Sequence, residues 1–124
     1  MAKTTLEYLR AACKLISNID HWTQGELACD NMGMTVDTDS KYASCFCALG
    51  ALKRVKADSG AYSALNKAAT ELYGSEISIV NDGEAESMED KAESMDEESF
   101  YRYCHAAVLR CYDRAIAREI ARNG

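Results

Sequence analysis

The chain has 124 residues, 48% of them hydrophobic and 27% charged, with a net charge of −6 and six cysteines. A chain of that length suits one domain, here 1–124, and buries about two-thirds of its unfolded surface, so folding requires neither disulfide nor metal. No apolar run approaches the roughly 20 residues of a membrane span, and Met1-Ala2-Lys3-Thr4-Thr5 leads straight into an amphipathic pattern unlike a secretory leader, so a cytoplasmic protein with reduced thiols is expected.

The first helix opens at Thr4, where Thr4-Thr5-Leu6-Glu7 has the form of a capping box. Leu6, Leu9, Cys13 and Ile16 recur at spacings of three and four, with Ala12 and Leu15 widening the stripe. An end at Ser17-Asn18 is expected, asparagine supplying a left-handed cap. A short polar stretch follows around the only tryptophan, Asp20-His21-Trp22-Thr23-Gln24-Gly25. Glu26 to Asp30 and Met34 to Asp37 then flank Asn31-Met32-Gly33, which predicts a β-hairpin packed on helices.

The apolar block Cys45-Phe46-Cys47-Ala48-Leu49-Gly50-Ala51-Leu52 reads as the opening turns of a central helix from about Ala43 to Ala57. Its first half is apolar on every side, which predicts burial all round and a hub for the first, third and last helices. Gly50 costs roughly 1 kcal/mol of helix propensity against alanine, a cost that close approach of another backbone would offset. Asp58-Ser59-Gly60 breaks the chain and caps a third helix from Ala61 to Tyr73, lined by Leu65, Ala68, Ala69 and Leu72 and ended by Gly74. Ile77 to Asp82 reads either as a short strand or as a turn of helix.

The charge is uneven. Between Asp82 and Glu98, nine carboxylates and one lysine give −8, so the rest of the chain stands at +2 within the total of −6. Ala85-Glu86-Ser87-Met88-Glu89-Asp90 returns seven residues later as Ala92-Glu93-Ser94-Met95-Asp96-Glu97, too few copies for a repeat architecture. With little apolar surface, 83–98 is expected to be a mobile insertion or a solvated helical extension. The last helix, from about Ser99 to Ala121, turns Tyr101, Cys104, Val108, Cys111, Tyr112, Ala115 and Ile116 inward. Arg110, Arg114, Arg118 and Arg122 recur every fourth residue on its outer side, a solvated face paired with Asp113 and Glu119 or with the acidic segment. The fold expected is mainly α: a compact four-helix domain with one short β-hairpin between helices 1 and 2.

Several blocks fall into a familiar order: Leu9-Arg10-Ala11-Ala12, His21-Trp22-Thr23-Gln24-Gly25, Ala43 to Leu52, Asn81-Asp82, and Val108-Leu109 followed by Asp113-Arg114-Ala115-Ile116. The chain resembles a family of small bacterial and bacteriophage proteins of unknown function. That family shows Trp-x-x-Gly, aromatic-Cys-x-x-Gly-Ala-Leu, Trp-Asn-Asp and Asp-Arg-Ala-Ile elements. Val80 stands where the family often carries tryptophan, and the acidic segment looks like an insertion. The resemblance implies a mostly helical single domain and no established activity. Within the apolar block it is Cys47 and Gly50, rather than Cys45, that match the family pattern.

Three groups of residues could carry function. A cysteine at a helix N-terminus can have its thiolate stabilised by the aligned amides, so Cys47 is the nucleophile to test if there is chemistry, with His21 or His105 as base. On a continuous helix, however, Cys45 and Cys47 lie 200° apart and cannot face one site, and both thiols read as core packing. No Cys-x-x-Cys or His-x-x-x-His spacing is present, so neither a metal nor another cofactor is expected. His21, Trp22, Gln24, Asn81 and Asp82 would line a polar ligand pocket with an aromatic wall if the fold joins them; otherwise Trp22 is a core plug and Asn81-Asp82 a cap. Glu86, Glu89, Asp90, Glu93 and Asp96 could imitate a phosphate backbone toward a basic partner, or simply keep a loop soluble. His105 reads as a core histidine. The acidic balance argues against direct nucleic-acid binding.

The function expected is that of a phage or prophage-type accessory protein, monomeric or homodimeric, that acts by binding in the cytoplasm, as an inhibitor or modulator of a host bacterial protein or as a small-ligand binder. The alternatives are a small cysteine-dependent hydrolase or transferase, and a structural component of a phage complex.

Overall fold

The computed structural model describes residues 3–123; Met1, Ala2 and Gly124, which belong to the domain and leader expectations above, lie outside the described residues. Helix α1 spans Thr5–Ile16, with the expected capping box between Thr4 and Glu7. Ser17 closes it in a right-handed conformation, so Asn18 is not a left-handed cap. Asn18 instead caps the next turn, a 3-10 segment Ile19–His21, by accepting a hydrogen bond from Asp20 N at 2.9 Å.

The hairpin lies elsewhere than expected. Strand β1, Ala28–Cys29, pairs antiparallel with β2, Cys45–Phe46, placing Ala28 opposite Phe46 and Cys29 opposite Cys45. Met34 to Asp37 contributes one isolated bridge, Thr35 to Cys29. The physical reason is burial: Phe46 packs in the core, whereas Met34 and Thr35 are exposed, so pairing β1 with β2 covers more apolar surface.

The central helix is therefore shorter than the pattern implied. Helix α2 is Ala48–Arg54; Cys45 and Phe46 are extended, and Cys47 is the N-cap, its Sγ accepting from Gly50 N at 3.2 Å. The 200° separation of Cys45 and Cys47 assumed a helix that starts about five residues too early, at Ala43 rather than Ala48. At the other end Lys56 adopts φ 58°, and bonds from Lys56 N to Lys53 O and from Ala57 N to Leu52 O close a Schellman turn.

Helix α3, Ser59–Tyr73, is capped by Asp58 and ended by left-handed Gly74. Tyr73 is buried on it while Leu72 is largely exposed, a shift of the expected face at its last turn. Ile77–Asn81 resolves as a short helix, α4. The acidic segment is folded as a 3-10 turn, Glu86–Met88, and helix α5, Glu89–Ser94, held down by buried Ala85 and Met88 and by Ser87 Oγ donating to Tyr73 O at 2.7 Å. Helix α6 spans Glu97–Asn123. The architecture is mainly helical, with more helices than the expected four.

Helix α6 lies against α1, α3 and α4, while α2 packs chiefly against α1. The long last helix is thus the hub, and the apolar block sits beside it, joined through Tyr112 Oη donating to Ala48 O at 2.6 Å. The arginine row pairs differently from expectation: Arg114 and Arg118 reach Glu71 on α3, Arg110 donates to Tyr73 Oη at 3.0 Å, and only Arg122 meets Glu119. Among the described residues no helix is long and apolar enough to cross a membrane.

Candidate functional site

Gly50 explains why the loop before β1 approaches α2. A Cβ there would lie 1.8 Å from Leu27 O, so only glycine admits this crossing. The same Leu27 carbonyl accepts from Cys47 N at 3.2 Å. The cost of glycine in a helix is thereby offset by a close backbone contact.

Around this crossing lies a polar knot centred on Asn81, which is 1% exposed. Its Oδ1 accepts from Trp22 Nε1 at 2.8 Å and from Ala48 N, in the first turn of α2, at 2.9 Å. Its Nδ2 donates to Thr23 O and to Asp82 Oδ1, both at 3.1 Å. Gln24 Nε2 donates to Asn81 O, and Gly25 N to Asp82 Oδ1, each at 2.9 Å. One amide side chain uses its whole hydrogen-bonding capacity to tie together three chain segments that are distant in sequence. Tyr101 Oη donates to Trp22 O at 2.9 Å, and the indole packs against the Tyr101 and His105 rings with centroids 4.7 and 5.2 Å away. His105 Nε2–H donates to Ile16 O at 2.7 Å, the bond of a core histidine.

Of the five residues grouped as a ligand pocket, Trp22, Gln24, Asn81 and Asp82 do meet. Their hydrogen bonds point at one another and at backbone, so the geometry is that of a brace. His21 stands outside the knot, its Nδ1–H donating to Ser44 O at 3.0 Å. It borders an open cleft of about 620 Å³ lined also by Asp20, Cys29, Cys45, Tyr101 and Arg102.

Cys47 lines a different, smaller cleft of about 220 Å³ with Leu27, Leu49, Ser78 and Asp82, and no imidazole borders it. Burial pushes the Cys47 thiol above its ordinary value; the Gly50 and Leu49 amides pull it down, and the charge of Asp82 raises it again. The net rise means that the helix N-terminus does not generate a thiolate here. All six cysteines are free. Glu86, Glu89, Asp90, Glu93 and Asp96 are all exposed along the folded acidic segment.

Sequence reasoning took Asn31 to Asp37 for a hairpin turn and strand and assigned no functional role to the loop 30–44. Met32 is 82% exposed, and Met34 and Tyr42 are each 66% exposed, yet the loop is well braced. Asp30 Oδ1 accepts from Met32 N and Met34 N at 2.9 Å. Arg54 Nη1 donates to Thr38 O at 2.8 Å and to Ser40 O at 2.9 Å, and Lys56 pairs with Asp39 at 2.9 Å. The legible signal was the length of the connection after Asp30, longer than an ordinary one, with Met32, Met34 and Tyr42 set among polar residues.

Fold and site together define a small helical domain braced by a central asparagine and presenting a hydrogen-bonded loop with three exposed apolar side chains. The chain belongs to the family of unknown function DUF6197, whose family model matches residues 1–118. The segments joined by Asn81 carry the Trp-x-x-Gly, Cys-x-x-Gly-Ala-Leu and Asn-Asp elements, so in this chain those elements meet in the brace. No curated protein and no solved structure matches the chain.

Proposed function

We propose that this chain is an accessory protein of phage or prophage type that acts in the bacterial cytoplasm by binding a host protein through the loop 30–44. What supports the reading is the exposure of Met32, Met34 and Tyr42 on a backbone already held by Asp30 and Arg54. Exposed methionine and tyrosine are typical anchors of protein interfaces, and methionine adapts to the partner's shape. A braced loop has already lost the ordering entropy that association otherwise costs.

The acidic segment supports a second contact, because Glu86, Glu89, Asp90, Glu93 and Asp96 are all exposed along a folded segment anchored at its start by Ala85 and Met88, and would face a basic or nucleic-acid-binding partner. The two contacts differ in salt response: the carboxylate array weakens as ionic strength rises, and the apolar loop does not. A cysteine-dependent reaction at Cys47 gains nothing from a buried, raised thiol. A small ligand would find room in the cleft beside His21.

Affinity capture from bacterial cells, quantified by mass spectrometry, tests the reading with three proteins: the parent, a Met32→Ser/Met34→Ser/Tyr42→Ser variant, and one with the five carboxylates amidated. Loss of three anchors should reduce capture of the principal partner by at least about tenfold, since each tenfold is 1.4 kcal/mol. Equal capture by the triple variant would refute the loop, and a loss confined to the amidated variant would transfer the function to the acidic segment.

A further inference from the structure

We infer that Cys29 and Cys45 are a paired dithiol that closes reversibly to a disulfide at the base of the loop 30–44. They are directly opposite residues of the β1–β2 ladder. Opposite residues of an antiparallel pair have Cα atoms about 4.5–5.5 Å apart, inside the 4.4–6.8 Å range that disulfides span. Both residues line the same cleft of about 620 Å³, so small oxidants reach them from one side. The ladder itself is held by Ser44 N donating to Cys29 O at 2.9 Å and Cys47 N donating to Leu27 O at 3.2 Å, so the two strands stay paired on either side of the cysteines and closure calls only for a local approach of the two Cβ atoms. The Cys45 thiol makes only long contacts, donating to Asp20 O at 3.4 Å and lying 3.7 Å from Ser44 Oγ.

The other cysteines are placed differently. Cys47 caps α2, Cys13 lies on α1, and Cys104 and Cys111 are buried on α6. Cys29 and Cys45 are opposed across the β1–β2 ladder, and the segment between them is the loop bearing Met32, Met34 and Tyr42.

The oxidant is a low-molecular-weight disulfide such as oxidised glutathione. Cys29 is 5% exposed and pushed up to about 11 chiefly by burial, so the more exposed Cys45 reacts first. Its thiolate attacks one glutathione sulfur, the glutathione S–S bond breaks, and one glutathione thiolate leaves. Cys29, losing its proton to solvent, then attacks the Cys45 sulfur of the mixed disulfide and expels the second glutathione thiolate. Two protein thiols and one glutathione disulfide become one protein disulfide and two glutathione thiols, with two electrons passing to glutathione. That closure alters partner binding rests on the proposed role of the loop; that it forms rests on the strand register alone.

Native protein is equilibrated with oxidised and reduced glutathione, quenched with an alkylating agent, digested with trypsin and sequenced by mass spectrometry. The free thiol count should fall from six to four, with peptide 15–41 joined to 42–53 and fragmentation assigning the bond to Cys45. Half-oxidation should need at least about tenfold less oxidised glutathione in the native protein than in urea, because the fold holds the thiols together. Cys45→Ser and Cys29→Ser variants, with folding verified by circular dichroism, should each abolish the cross-link, and Cys47→Ala should retain it. Six free thiols, a stable glutathione adduct on Cys45, a link to Cys47, or equal oxidation in urea would each overturn the inference. None of these readouts uses a binding partner, so a negative result here is separate from failure of the docking role.

Discussion

Replacing Asn81 by alanine tests the brace at its centre. The substitution strands two buried donors, Trp22 Nε1 and Ala48 N, and removes the donor to Thr23 O. A buried donor left without a partner costs about 1–3 kcal/mol, so the two together predict a loss of about 2–6 kcal/mol. Against a total stability of about 5–15 kcal/mol for a domain of this kind, that is a large fraction. Urea unfolding followed by fluorescence reads it directly, because Trp22 is the only tryptophan and sits in the knot. Asn81→Asp supplies a second, pH-dependent arm. It keeps both acceptor contacts but sets carboxylate oxygen against Thr23 O and Asp82 Oδ1. Burial and repulsion raise the folded pKa of that carboxyl above its unfolded value near 4. The folded state then keeps a proton that the unfolded chain has shed, so the stability of Asn81→Asp falls as pH rises from about 4, while the cost of Asn81→Ala stays level. A loss below about 1 kcal/mol for Asn81→Ala, or a pH-independent Asn81→Asp, would refute the brace.

Gly50→Ala should destabilise by roughly 2–4 kcal/mol, opposite in sign to helix propensity, because the new Cβ meets Leu27 backbone at 1.8 Å; a variant as stable as the parent would show that the crossing yields. Burial pushes Cys111 up to about 12 and Cys13 and Cys104 up to about 11 from the ordinary 9.0. Their contribution to stability is full below pH 9 and is lost as pH rises through the folded values, since the unfolded chain sheds these protons first. The urea midpoint should therefore fall between pH 8 and pH 10.5, and Cys111→Ala should flatten that slope; an unchanged midpoint would contradict the assignment.

Helix α1 was legible to the residue at its start because the Thr4–Glu7 capping box is local chemistry. The inner face of α6 was legible from Tyr101 to Ile116, where a period of three and four persists, but not in the last turns, where Glu119 is buried and Ile120 exposed. The start of α2 was not: Cys45 and Phe46 are as apolar as the helix that follows, and only pairing with Ala28 and Cys29, far back in the chain, makes them a strand. Gly50 could be read as a close approach, though the partner, Leu27, could not. The grouping of Trp22, Gln24, Asn81 and Asp82 was correct in space, and their hydrogen bonds turned out to be directed at one another. The loop 30–44 was obscured because exposure of Met32, Met34 and Tyr42 depends on tertiary packing, and the pairing of Cys29 with Cys45 depends on a strand register that alternation alone misassigned.

Hydrogen exchange of the parent protein, alone and with its captured partner, tests the docking role most directly. Slowed exchange should be confined to the amides of 30–44, with 83–98 slowed only at low salt. Protection centred on the cleft beside Cys47 and Asp82, with 30–44 exchanging as in the free protein, would contradict it.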